Sequence, residues 1–143
     1  MAGRAVTKTY LDSCMVIDLV EGNIQQQSLI SRHLVGKWIC SSELVRLESR
    51  IKALRENRQD FLKTYDDYFS QCQLVPFGRT VFEKATELRL IYRLKTPDAL
   101  HLAAALQGAY EEFLTNDLQL AKAASGQIRV VDWDALNKPN IWS

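Results

Sequence analysis

Apolar positions along the chain fall into short continuous runs separated by longer stretches with helical spacing, and this alternation predicts the elements. Thr7 to Leu11 reads as a strand ending at Asp12-Ser13, and Cys14 to Val20 follows as a helix that Gly22-Asn23 stops. Ile24, Leu29, Ile30, Leu34 and Val35 mark a second helix. Trp38 to Cys40 is the next strand, ending at Ser41-Ser42, and amphipathic helices follow over about 43–56 and 59–71. Leu74 to Phe77 reads as a third strand, Val81 to Leu94 as a helix, Glu112 to Leu114 as a fourth strand before Thr115-Asn116-Asp117, and Ile128 to Val131 as a fifth. A short helix to about Ala124 lies between the last two.

One stretch stands apart from this rhythm. From Leu94 to Leu106 the chain is apolar on nearly every side, the pattern of a helix buried all round. Thr96 can cap it and Pro97 suits its first position, where no intrahelical N–H is needed. Asp98 then stands at the mouth of a buried element, either complementing the positive end of the helix dipole or held at a site that needs negative charge.

Strands alternating with helices predict an α/β domain with a mainly parallel five-stranded sheet flanked by helices on both faces, because parallel strands need crossovers. At 143 residues, with 47% hydrophobic positions and no repeat or linker, residues 1–143 are expected to form a single domain. The formal net charge of +1 advertises no sequence-wide field for nucleic acid, so any such surface is a local patch. Cys14, Cys40 and Cys72 have no metal or disulfide spacing and read as small packed residues in a reducing cytosol. The start of the chain lacks a signal-peptide core, and no run of about 18 apolar residues could span a bilayer, so a cytoplasmic protein without membrane contact is expected.

In parallel sheets the functional crevice lies at the carboxyl ends of the strands. Asp12 follows the first strand, Glu43 and Glu48 follow the second, Asp98 opens the buried helix, and Asp117 follows the fourth strand. Asp12 and Asp117 can each be simple helix caps. At about 100° per residue, Leu44, Leu47, Ile51 and Leu54 form one apolar arc; Glu48 projects inside it and Glu43 lies at its edge. A carboxylate facing the core is costly without a cation or donors, although an i,i+4 pair with Lys52 is an alternative. If four carboxylates converge, repulsion raises their pKa values unless a multivalent cation sits among them, and oxygen ligands point to Mg²⁺ or Mn²⁺.

Tyr10-Leu11-Asp12-Ser13, Ser41 to Glu48, Thr96 to Ala105 and Phe113 to Asp117 together resemble the PIN-domain ribonucleases, most of all the VapC-like toxins of toxin–antitoxin pairs. The resemblance runs over almost the whole chain in the right order. It implies a metal-dependent endoribonuclease using Mg²⁺ (or Mn²⁺), with Asp12, Glu48, Asp98 and Asp117 as catalytic, metal-holding acids and Ser13 and Thr115 as supporting residues. It also implies an RNA substrate, a VapB-like antitoxin and a homodimer; the helix from Cys14 to Val20 and the one from Glu43 are candidates for the antitoxin's apolar anchors, with core packing as the alternative for the same residues. A housekeeping RNA-processing nuclease or a non-catalytic binding protein of the same fold are the alternatives. A receiver or a haloacid-dehalogenase-like phosphatase also carries Asp at strand ends, but the first needs adjacent acids and the second an Asp where Cys14 stands.

Arg46, Arg50, Arg93 and Lys95 are candidate RNA-phosphate contacts, with solvated helix faces as the plain alternative. Tyr10, Tyr92 and Trp142 are candidates for base stacking, though aromatic residues are more often core. His101, one turn after Asp98, reads as a packed histidine bonded to a neighbour, and His33 as a histidine without an evident partner.

Overall fold

A computed structural model describes residues 6–138. The strands are β1 (Lys8–Leu11), β2 (Trp38–Ser41), β3 (Gln73–Leu74), β4 (Glu112–Leu114) and β5 (Arg129–Val131). All pair in parallel in the order β3-β2-β1-β4-β5. Among the described residues the helices are α1 (Ser13–Glu21), α2 (Ile24–Leu34), α3 (Glu43–Arg55), α4 (Gln59–Ser70), α5 (Arg79–Tyr92), α6 (Thr96–Gln107), α7 (Leu118–Ala124) and α8 (Trp133–Asn137), and they flank both faces of the sheet. No helix among them is long and apolar enough to cross a membrane.

The expected α/β architecture is present, with four local corrections. The third strand stops at Leu74, well short of Phe77, because Pro76 has no N–H to pair and β3 is an edge; Val75 N–H still reaches Ser41 O at 2.8 Å. Thr96 does not cap α6 but lies inside it; Lys95 is the cap residue, without a side-chain bond. Proline is tolerated throughout a first turn, where N–H groups have no intrahelical partner, so the helix starts one residue earlier. Asp132 caps the unexpected α8 by accepting from Ala135 N–H at 2.9 Å. The fourth concerns α3, whose buried stripe is Val45, Ser49 and Ala53, while Leu47, Ile51 and Leu54 are 61%, 48% and 50% exposed. Small residues on the buried stripe suit close approach to α1, α4 and α6, so the large apolar arc faces outward.

α6 is buried as expected, with every residue from Ala99 to Ala105 in the core. Of the apolar residues of α1, Met15, Val16 and Val20 are core and cannot serve as anchors for a partner, while Cys14, Ile17 and Leu19 are partly exposed.

At the amino-terminal ends of the strands, Glu112 is buried at the centre of a charged cluster. Its carboxylate accepts from Thr9 Oγ1 at 2.9 Å and lies 3.0 Å from both His33 Nε2 and Lys37 Nζ, with Arg129 also bonded to it. His33 thus has a partner that its sequence context did not reveal. Burial alone would raise the Glu112 pKa, but the bonds from His33, Lys37 and Thr9 outweigh it and hold the carboxyl well below its ordinary range. A depressed folded pKa means stability that is complete above the unfolded value of about 4.3 and lost as pH falls through the folded value. Glu112→Gln is therefore expected to cost about 2 kcal/mol at neutral pH, the size of hydrogen bonds to a charged group. Urea melts should show the gap to the parent protein narrowing as pH is lowered below about 4; a gap that does not change with pH would refute the charge-based account.

Candidate functional site

β1 is the central strand, and the order reverses between it and β4, so the carboxyl ends of these two strands frame a switch-point crevice. Asp12 leaves β1 and caps α1 through Ser13 N–H at 2.8 Å. Its other oxygen accepts from Thr115 Oγ1 at 2.9 Å and from the Cys14 thiol at 3.4 Å. Thr115 Oγ1 in turn accepts from Asp117 N–H at 3.1 Å, tying the turn after β4 to Asp12. Asp117 caps α7 by accepting from Leu120 N–H at 2.9 Å. Both capping readings are correct as local structure, and both caps point the acids at the same crevice.

Glu48 reaches the crevice from the flank of α3. Its Oε1 accepts from Ser13 Oγ at 2.6 Å and from His101 Nε2 at 2.6 Å, and the same imidazole nitrogen stands 3.8 Å from Asp12 Oδ1. The bonds from His101 and Ser13 outweigh the effect of burial and lower the Glu48 pKa. Lys52 lies instead beside Glu21 and Glu56, each at 3.9 Å, so the proposed i,i+4 pair with Glu48 is absent. Glu43 is exposed in the first turn of α3.

Asp98, half-buried at the start of α6, responds to all of these groups. Burial raises its pKa, and the charges of Asp12, Asp117 and Glu48 raise it further. Ser13 and Thr115 each contact two members of the cluster. The sequence places Ser42 after the second strand but gives no sign of its bond to Tyr10, because no local periodicity marks that contact; the one-turn spacing from Asp98 to His101 was the available signal for the histidine.

The four acids offer carboxylate oxygens, and the Cys14 thiol beside Asp12 is pushed up to about 12 by burial and by that charge, so it stays protonated. Among the described residues no three His, Cys, Asp or Glu side chains are already gathered at metal-holding distance. The donor chemistry nevertheless fits a hard divalent cation. Glu48 Oε2, Asp117 Oδ2 and both Asp98 oxygens accept no protein hydrogen bond among the described residues.

The candidate RNA contacts differ in their engagement. Arg46 and Arg50 lie 3.8 and 3.5 Å from Asp66 on α4. Arg93 is the left-handed C-cap of α5, with φ 58°, and is exposed near Lys95. Tyr10 cannot stack on bases, because it is fully buried and packed against Phe113 with ring centroids 5.8 Å apart. Tyr92 is partly exposed, and Trp142 lies outside the described residues.

Residues 9–126 match the PIN domain family. No curated protein is significantly similar to the chain in sequence. Among solved structures, VapBC2 from Rickettsia felis, described as bound to a DNA fragment from its promoter, superposes with TM-score 0.69 at 16% identity over 90% of this chain and 100% of the other. A toxin–antitoxin complex from Klebsiella pneumoniae gives 0.69 at 23% identity over 86% and 95%. VapBC-1 from nontypeable Haemophilus influenzae gives 0.71 at 11% identity over 90% and 99%.

Proposed function

The chain belongs to the PIN domain family, and from that membership we propose that it is a Mg²⁺- or Mn²⁺-dependent endoribonuclease, the toxin of a toxin–antitoxin pair. Asp12, Glu48, Asp98 and Asp117 are its acidic site. The observation that carries this reading is the convergence of acids from separate elements: Asp12 and Glu48 meet on Ser13 and His101, Thr115 ties the Asp117 turn to Asp12, and Asp98 opens the helix that carries His101. Like charges held together by a folded backbone are the expected cost of a site built for a cation.

When bound, a divalent ion would supply Lewis-acid polarisation of the phosphate and a more acidic water. The remaining work falls to the chain's own groups. Thr115 holds Asp12 and the Asp117 turn in register, and Ser13 holds Glu48 beside Asp12. One of the four carboxylates would take the proton of the attacking water. Arg93 and Lys95, exposed just before Asp98, would meet flanking phosphates. Cleavage of RNA is expected with Mg²⁺ or Mn²⁺ and is expected to vanish in excess chelator; undiminished cleavage in chelator would sink the metal reading.

The outward arc of Leu47, Ile51 and Leu54 is a contiguous apolar surface on the helix that carries Glu48. We assign it as the docking face for a helix of a VapB-like antitoxin, with the chain itself a homodimer. The neighbours described as VapBC or toxin–antitoxin complexes support that partner class. Co-expressed with the product of a small upstream gene, the chain is expected to run on a sizing column as one complex containing two toxin copies. Separate elution of the two proteins would count against it.

A further inference from the structure

Beneath the acidic crevice a chain of hydrogen bonds leaves the start of α3 and returns to the same helix through two other elements. Ser42 Oγ caps α3, accepting from Val45 N–H at 3.2 Å, and lies 2.8 Å from the Tyr10 hydroxyl of β1. That hydroxyl lies 2.9 Å from His101 Nδ1 on α6, and His101 Nε2 meets Glu48 Oε1 at 2.6 Å. Ser42, Tyr10 and His101 are each 1% exposed or less, so no solvent competes for these bonds.

The proton directions follow from the groups themselves. An ionised Glu48 only accepts, so His101 Nε2 carries the proton. In a neutral imidazole Nδ1 then accepts from the Tyr10 O–H, and Tyr10 accepts from the Ser42 O–H. This is the one arrangement of a neutral ring in which every hydroxyl proton of the chain has a partner.

We propose that His101 is a positioning residue, locked by Tyr10 in the Nε2–H tautomer, that fixes Glu48 with Oε1 committed to the protein and Oε2 left for a divalent cation. The proposal rests on reading Glu48 as a cation ligand. A glutamate has enough rotatable bonds to leave a site, and partners that orient a ligand typically change metal affinity by about 10–100-fold.

The test is Mn²⁺ binding to the purified chain by calorimetry, with circular dichroism to check folding. His101→Asn, which has no N–H near the Nε2 position, is expected to bind Mn²⁺ about 10–100-fold more weakly. His101→Gln, whose amide reaches close to that position, is expected to retain most of the affinity. Nitrogen-detected NMR of the imidazole reads the relay without metal, and should show the Nε2–H tautomer in the parent and its loss of dominance in Tyr10→Phe, which leaves the ring in the core. If the histidine variants do not fold, the Tyr10→Phe tautomer and its weaker Mn²⁺ binding decide the question. Unchanged Mn²⁺ affinity in folded His101→Asn, or an Nδ1–H tautomer in the parent, overturns the positioning role alone. A parent chain that neither binds Mn²⁺ nor cleaves RNA overturns the proposed function, and this inference with it.

Discussion

Asp98→Asn is expected to abolish metal-dependent RNA cleavage, by about 10²–10³-fold or more, the loss seen when one electrostatic contact to a reacting phosphate or carbonyl centre is removed. The fold should survive, and in the absence of metal its stability should rise. Burial and the neighbouring carboxylates raise the folded pKa of Asp98 above its ordinary value. The folded state therefore binds the proton more tightly than the unfolded chain, so ionising Asp98 costs stability once pH climbs through that raised value, and the amide removes the cost. Thermal melts of chelated protein at neutral pH should place Asp98→Asn at or above the parent, alongside lost cleavage. Asp12→Asn should abolish cleavage too, but it is the less clean variant. Asp12 accepts three bonds, from Ser13 N–H, Thr115 and Cys14, and an amide nitrogen would face two donors that must turn away. A fully active Asp98→Asn would remove that residue from the site.

Glu48→Gln and Glu43→Gln should separate by a similar factor. Glu48 is held by Ser13 and His101 beside Asp12, so its amide should cut cleavage by about 10²–10³-fold and weaken Mn²⁺ binding. Glu43 faces solvent in the first turn of α3, and its amide should cost about 0.3–1 kcal/mol of helix stability through the dipole and leave cleavage intact. Cleavage assays on the pair decide the assignment: loss in Glu43→Gln with retention in Glu48→Gln would exclude Glu48.

The order of strands and helices was legible in the sequence, because short apolar runs and helical periods are local signals and parallel strands oblige crossovers. So was the burial of α6, whose Ala99 to Ala105 stretch leaves no solvated face, and so were the caps at Asp12 and Asp117, which act within three residues. The facing of α3 was not. Leu44, Leu47, Ile51 and Leu54 form an apolar arc by period alone, yet the helix buries Val45, Ser49 and Ala53, since what a helix buries depends on the surface its neighbours offer. The same arc had led to Glu48, which reaches the crevice from the helix flank through bonds to Ser13 and His101 instead. Tertiary structure alone decided the relay from Ser42 through Tyr10 and His101 to Glu48, and the cluster that Glu112 makes with His33, Lys37 and Arg129. Those partners lie mostly dozens of residues apart, and a hydrogen bond between distant residues leaves no periodic trace in the chain that forms it.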